Sequence, residues 1–120
     1  MREYLFRGKV IASYNGSDGK WVYGDLFRHG TAVQIKEFVK ATFSVDPGTV
    51  GQFTELTDKN GVRIFEGDIV KTDYFDTPAV IRYSRGAFVT SGMFLSETHD
   101  ETMTVIGNIH DNPELLNMET

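Results

Sequence analysis

Cysteine is absent from this chain. That excludes disulfide scaffolds, cysteine-ligated zinc, iron–sulfur centres and thiol nucleophiles together, and it suits a reducing cytoplasm. Uncharged apolar runs are scarce as well. The opening residues, MREYLFRGKVIASY, are broken by charge at Arg2, Glu3, Arg7 and Lys9. No leader-type apolar region follows, and nothing approaches the ~18 residues that span a bilayer. The expectation is a cytoplasmic protein with no membrane attachment. Several catalytic signatures are missing too. There is no Gly-x-Ser-x-Gly elbow for a serine nucleophile, and no Gly-x-Gly-x-x-Gly or P-loop to cradle phosphate.

Positive charge is short where it would be needed for a duplex binder. The net charge is -5, and residues 61–120 hold 4 Lys/Arg against 10 Asp/Glu, whereas residues 1–60 hold 8 against 7. Counterion release by a basic stripe supplies most non-specific affinity for nucleic acid, and the acidic second half opposes it. Five of the basic residues of the first half, Arg2, Arg7, Lys9, Lys20 and Arg28, leave a local nucleic-acid site as a rival reading.

What is present is enough for a core. With 120 residues, 40% of them hydrophobic, the chain suits one domain over 1–120, or two small lobes, 1–57 and 58–120, sharing a core. Such a chain buries roughly two-thirds of its unfolded surface, so neither a disulfide nor a metal is required for folding.

Strand signals dominate. Tyr4–Ser13 runs into Asn15-Gly16-Ser17-Asp18-Gly19, a loop of residues that tolerate positive φ. Lys20–Arg28 returns with alternation: Trp21, Tyr23, Asp25 and Phe27 on one face, Val22 and Leu26 on the other. Gly24 in its middle predicts a bulge or a close backbone approach. A hairpin is expected between Ala32–Phe38 and Ala41–Val45, turned off by Asp46-Pro47-Gly48. Thr49–Phe53 is ambiguous between a helical turn and an extended piece. Asp58-Lys59-Asn60-Gly61 is a turn, its Asn-Gly pair fitting type I′ geometry. Arg63–Asp73, Ala79–Ser84, Ala87–Thr90 and Thr104–His110 follow as short strands. The tail predicts a helix: Asp111 or Asn112 caps it, Pro113 suits its first position and Glu114 its dipole, so that Leu115, Leu116 and Met118 dock on the sheet.

Three segments carry a family resemblance. Val45–Val70 reads VDPGTVGQFTELTDKNGVRIFEGDIV. Phe6–Lys9 reads FRGK, with GKWVYGDL at Gly19–Leu26. Val105–Leu116 reads VIGNIHDNPELL. In this order the three bracket nearly the whole chain, and the chain resembles the YopX family of phage and prophage proteins. The match is loose only over His29–Phe43 and Thr77–Thr104. The resemblance implies a phage-associated protein that forms homo-oligomers. It supplies no catalytic or cofactor residue.

The candidate sites divide into structural and functional readings. Gly67-Asp68-Ile69-Val70 resembles the strand start of SH3-like small barrels, with a tight glycine entry and a carboxylate tying turn amides. The competing reading pairs Glu66 with Asp68 as two acids on one strand face, yet no histidine or third acid is tied to them by spacing. Asp58-Lys59-Asn60-Gly61 looks like part of a calcium loop, but Gly61 at the sixth position puts Leu56 first and Gly67 twelfth, and neither offers a carboxylate, so Asn60 and Gly61 read as a turn. His99-Asp100-Glu101 has metal-binding chemistry, but three consecutive residues converge on one ion only in a bent loop. His29 and His110 stand alone at strand ends, where hydrogen bonding is the default role. Trp21, Tyr23 and Phe27, opposite Tyr4, Phe6 and Tyr14, are either cross-strand core packing or an exposed interaction surface, since Trp and Tyr favour interface cores.

The sequence thus predicts a mainly β protein: an N-terminal hairpin-rich sheet joined to an SH3-like small barrel, with a short C-terminal helix. It predicts no enzyme, no metal and no cofactor. The expected role is a non-catalytic, homo-oligomeric phage or prophage protein that binds another macromolecule, an unidentified phage or host protein, in the host cytoplasm.

Overall fold

The computed structural model describes residues 5–12, 16–37, 41–73, 78–84, 87–90, 93–94 and 102–117. Tyr4, Tyr14, Asn15, Arg2, Met118 and the His99-Asp100-Glu101 cluster lie outside them. The described residues are mainly β, in antiparallel sheets. The chain divides into two units, 1–53 and 54–120, a few residues earlier than the lobes expected from the sequence. Strand β5 (Gly51–Thr57) begins in the first unit and ends in the second.

The first unit is a meander of β1 (Phe6–Lys9), β2 (Trp21–His29), β3 (Ala32–Lys36) and β4 (Thr42–Ser44), ordered β4-β3-β2-β1-β5. Period-2 alternation sorts its faces. Val10, Val22, Val33, Ile35 and Val45 are buried together, with Phe6, Leu26, Phe43 and Val50 packed on them. Each of these aliphatic side chains contributes about 1.5–3 kcal/mol when fully buried. The meander curls, because Val10 at the end of β1 bridges Val45 at the end of β4. Gly24 permits this packing: a Cβ there would stand 2.1 Å from the Lys36 carbonyl oxygen, so β3 approaches the β2 backbone where only glycine fits. The close approach predicted at Gly24 is therefore its role.

Between β4 and β5 a 3-10 turn, Pro47–Thr49, interrupts pairing along the outer edge of β1. Asp46 caps it, its carboxylate accepting the Gly48 N–H at 3.0 Å. Thr49 then stands in for a missing strand, since its Oγ1 accepts the Lys9 N–H at 2.9 Å. Pairing resumes at Arg7↔Gly51 and Phe6↔Gln52. The ambiguity at Thr49–Phe53 resolves into both structures in succession.

In the second unit the end of β5 neighbours β6 (Arg63–Phe65). A three-stranded sheet sets β7 (Asp68–Thr72) between β8 (Ala79–Val80) and β12 (Met103–Asn108), and another sets β10 (Ala87–Thr90) between β9 (Arg82–Ser84) and β11 (Met93–Phe94). Ile64, Val70, Ile81 and Met103 form its core, with Leu56 and Val105 against them. Among the described residues these sheets remain separate and no closed barrel is formed. The predicted Arg63–Asp73 strand is broken in two by a tight turn at Glu66-Gly67, where Gly67 takes φ +92°. Ile106 bulges from β12 between Val105 and Gly107.

The tail departs from expectation. Pro113–Asn117 is a 3-10 helix, with Leu115 half-buried and Leu116 41% exposed. Five residues cannot establish an α-helix whose first turns lack internal hydrogen bonds. The segment is instead set by its lead-in, where the Asn108 side chain accepts the His110 and Asp111 N–H groups at 3.0 and 2.9 Å. No helix of the described residues is long and apolar enough to cross a membrane.

Candidate functional site

Strand pairing decides what surrounds the aromatic strip. Arg7 lies opposite Tyr23 and Lys9 opposite Trp21, while Phe6 lies opposite Gly24. The strip's partners on β1 are therefore two cations and not Phe6, whose ring points with the aliphatic core. One residue of register separates the expectation from the observation, and a one-residue shift moves every side chain to the other face.

Trp21, Tyr23 and Phe27 share the face of β2 opposite Val22 and Leu26, the face that turns away from the aliphatic core. Trp21 is half-buried, and Tyr23 and Phe27 are 44% and 38% exposed. The Arg7 guanidinium lies 4.7 Å from the Trp21 ring centroid and the Lys9 ammonium 5.6 Å. Both distances are within cation–π range, so the indole fixes two positive charges at one end of the strip. Arg7 itself is buried. On β3 the strip is continued by Gln34 opposite Phe27 and Lys36 opposite Asp25.

Beside the strip a groove of ≈ 420 Å³ is lined by Leu26, Phe27, Arg28, Val33, Pro47 and Val50. Sequence reading missed it. Its walls come from two strands and the 3-10 turn, and only the apolar Val50 just after an Asp-Pro-Gly turn hinted at it.

The turn residues singled out from sequence serve the backbone. The Asp68 carboxylate, fully buried, accepts the Phe65 N–H at 2.7 Å across the turn. Gly67 donates to the Ile81 carbonyl at 2.9 Å and accepts from the Ile109 N–H at 3.0 Å. Glu66 is in the turn and not on the strand, so it does not share a strand face with Asp68 as the paired-acid reading requires. Asn60-Gly61 is not a type I′ turn, which needs positive φ at two successive residues. Among the described residues only Ala12 and Glu55 are non-glycine residues with positive φ, and in this turn Gly61 alone takes it, at +82°.

Asp58, which the sequence places in this turn, is the residue that organises it, a role the Asn-Gly signal does not show. Its Oδ1 accepts the Asn60 and Val62 N–H groups at 2.8 and 2.9 Å, and its Oδ2 accepts the Val105 N–H of β12 at 2.9 Å. Burial pushes this carboxyl upward, but the Val105, Val62 and Asn60 amides and the Lys59 charge outweigh it and hold the group below its ordinary value. An aspartate two residues before Asn-Gly is the signal that could have found it, because Asx side chains bond to amides two residues on. Among the described residues no three metal-ligating side chains come together.

Comparison with known proteins follows from this geometry. The model of the YopX family, described as YopX protein, matches residues 12–117. The crystal structure of protein EF1440 from Enterococcus faecalis is similar at a TM-score of 0.57 and 27% sequence identity, covering 95% of this chain and 98% of that one. No curated protein matches. The family match spans nearly the whole chain and takes in the Asp58 turn, the Asp68 turn and the Asn108 cap, and the chain belongs to the YopX family.

Proposed function

We propose that this is a non-catalytic binding protein, phage- or prophage-encoded, that assembles with copies of itself and engages a phage or host protein in the host cytoplasm. The observation that supports this reading is the strip on β2. It keeps Tyr23 and Phe27 exposed on the face away from the aliphatic core, and its cationic end is fixed by the stacking of Arg7 and Lys9 on Trp21. Aromatic side chains with large contact area and few rotatable bonds are the usual anchors of protein interfaces. The rival reading, a nucleic-acid accessory protein, has less support, because Arg7 is buried and its charge is directed onto the indole.

The test is the oligomeric state of the paired Tyr23→Ser, Phe27→Ser variant. Wild-type protein should scatter light as a multiple of 13.5 kDa, and the variant should shift toward the monomer with unchanged circular dichroism. A wild-type particle of monomer mass at micromolar concentration overturns the self-assembly reading. A salt-sensitive gel shift that survives in the variant would favour nucleic acid instead.

A further inference from the structure

The chain contains the pair Asn60-Gly61 on an exposed turn. Nothing on a glycine hinders its backbone nitrogen from attacking the preceding asparagine side chain. In that reaction the Gly N–Cγ bond forms, the Cγ–Nδ2 bond breaks, and the nitrogen's proton departs with ammonia. Water then opens the cyclic imide at either carbonyl, giving aspartate or isoaspartate. The only co-reactant is water, and Asn60 and Gly61 are open to it.

The attacking atom is nevertheless engaged. Gly61 N–H donates to the Asp58 carbonyl at 3.0 Å. The N–H groups of Asn60 and Val62 both donate to Asp58 Oδ1. The peptides on either side of Asn60 are therefore pinned to one residue. That residue is pinned in turn, because its Oδ2 accepts from Val105 on β12 and the neighbouring Lys59 N–H donates to the Met103 carbonyl at 3.0 Å. Attack on Asn60 Cγ takes from the Gly61 nitrogen the proton it donates to the Asp58 carbonyl, so the reaction breaks that hydrogen bond and leaves the turn open.

We propose that Asn60-Gly61 is a deamidation site guarded by Asp58, reactive only when the 58–62 turn leaves β12. The product makes the opening one-way. Aspartate at 60 adds a negative charge two residues from the Asp58 carboxylate, and isoaspartate inserts a methylene into the backbone that the carboxylate encircles. Either change weakens the turn's hold on Val105.

The experiment follows amide-to-acid conversion at Asn60 by peptide mass mapping, in the intact folded chain and in the same chain in denaturing urea at one mildly alkaline pH. Conversion should be at least about tenfold slower in the folded chain, since local openings of a hydrogen-bonded turn are minor states. Asp58→Ala, checked for folding by circular dichroism, removes the acceptor of the Asn60 and Val62 amides and should convert several-fold faster than the folded wild type. Equal rates for folded and unfolded wild type overturn the proposal, and so does a folded Asp58→Ala that converts as slowly as wild type. Should that variant not fold, wild type decides alone: the rate across sub-denaturing urea should track hydrogen exchange at the Gly61 amide, and a rate indifferent to that protection overturns the guard. Converted protein, separated by charge, should melt below unconverted protein, and equal melting overturns the release step.

Discussion

Asp58→Ala removes one carboxylate that holds three backbone amides, and the consequences can be apportioned. The Asn60 and Val62 amides belong to exposed residues, so water replaces the carboxylate and each loses only the net worth of a hydrogen bond, about 0.5–1.5 kcal/mol. Val105 is half-buried on β12. Its N–H is left without a good substitute, and the cost there is about 1–3 kcal/mol. The sum is roughly 4 kcal/mol, or a melting temperature lowered by roughly 15 °C for a domain of this size. Asp73→Ala is the matched control. Its carboxylate meets Lys59 Nζ at 3.4 Å between side chains 43% and 57% exposed, a contact worth less than about 0.5 kcal/mol. The assay is urea denaturation of both variants beside wild type. The pH dependence supplies a second readout. The folded-state pKa of Asp58 lies below its unfolded value, so its stabilisation is complete above the unfolded value near ~4 and is lost as pH falls through the lowered folded value. Asp58→Ala should flatten that acid limb while Asp73→Ala keeps it. Equal midpoints for the two variants, or an acid limb unchanged in Asp58→Ala, would refute the clamp.

Two further outcomes are expected. Gly67→Val should lower the denaturation midpoint well beyond Glu66→Ala, because a β-branched residue at φ +92° costs about 1–3 kcal/mol of strain, whereas loss of the Glu66 side chain should stay within about 1 kcal/mol; equal midpoints would remove Gly67 from its special role. Glu55, exposed in β5 at φ +74°, should accept glycine without loss, since relief of about 1 kcal/mol of left-handed strain offsets the added freedom of the unfolded chain. Glu55→Val at the same site should destabilise, and thermal melts of the pair that coincide would show the strain to be absent.

Local chemistry that acts within four or five residues was legible from sequence. The β2 alternation, the β3–β4 hairpin and the close approach at Gly24 all rest on side-chain period and glycine, which are local. What failed was non-local. The sequence reading puts Phe6 with the aromatics because nothing in the sequence sets the β1–β2 register, which is held by Val10, whose N–H donates to the Lys20 carbonyl and whose carbonyl accepts the Gly19 N–H. The break at Glu66-Gly67 depends on hydrogen bonds to Ile81 and Ile109, both distant in the chain. The tail leucines were expected to bury because an apolar pair after a helix start usually does. The Asn108 side chain captures the His110 and Asp111 amides first and sets a tight 3-10 entry that leaves Leu116 out.

The motifs within Val45–Val70 and Val105–Leu116 lead to one kind of chemistry. In the Asp-Lys-Asn-Gly turn, Asp58 satisfies three amides. In Phe-Glu-Gly-Asp, Asp68 satisfies Phe65. In Thr-Val-Gly-Gln, the Thr49 hydroxyl fills a gap in the β1 ladder. In Gly-Asn-Ile-His-Asp-Asn, Asn108 caps a turn, and Gly107 leaves room for Asn112, whose Oδ1 would lie 2.6 Å from any added Cβ. Each is a short polar side chain or glycine serving nearby backbone, at about 0.5–1.5 kcal/mol for an exposed amide such as Asn60 and about 1–3 kcal/mol for a buried one such as Phe65. Such residues specify a fold and touch nothing outside it. Among the described residues, Tyr23 and Phe27 on the strip and Leu26, Arg28 and Pro47 around the groove stand apart from these: they border solvent or open space. The part of the resemblance built on the first set therefore transmits architecture, while Tyr23 and Leu26 in Gly19–Leu26 and Pro47 in Val45–Val70 show that the resembling segments also take in residues of the second set.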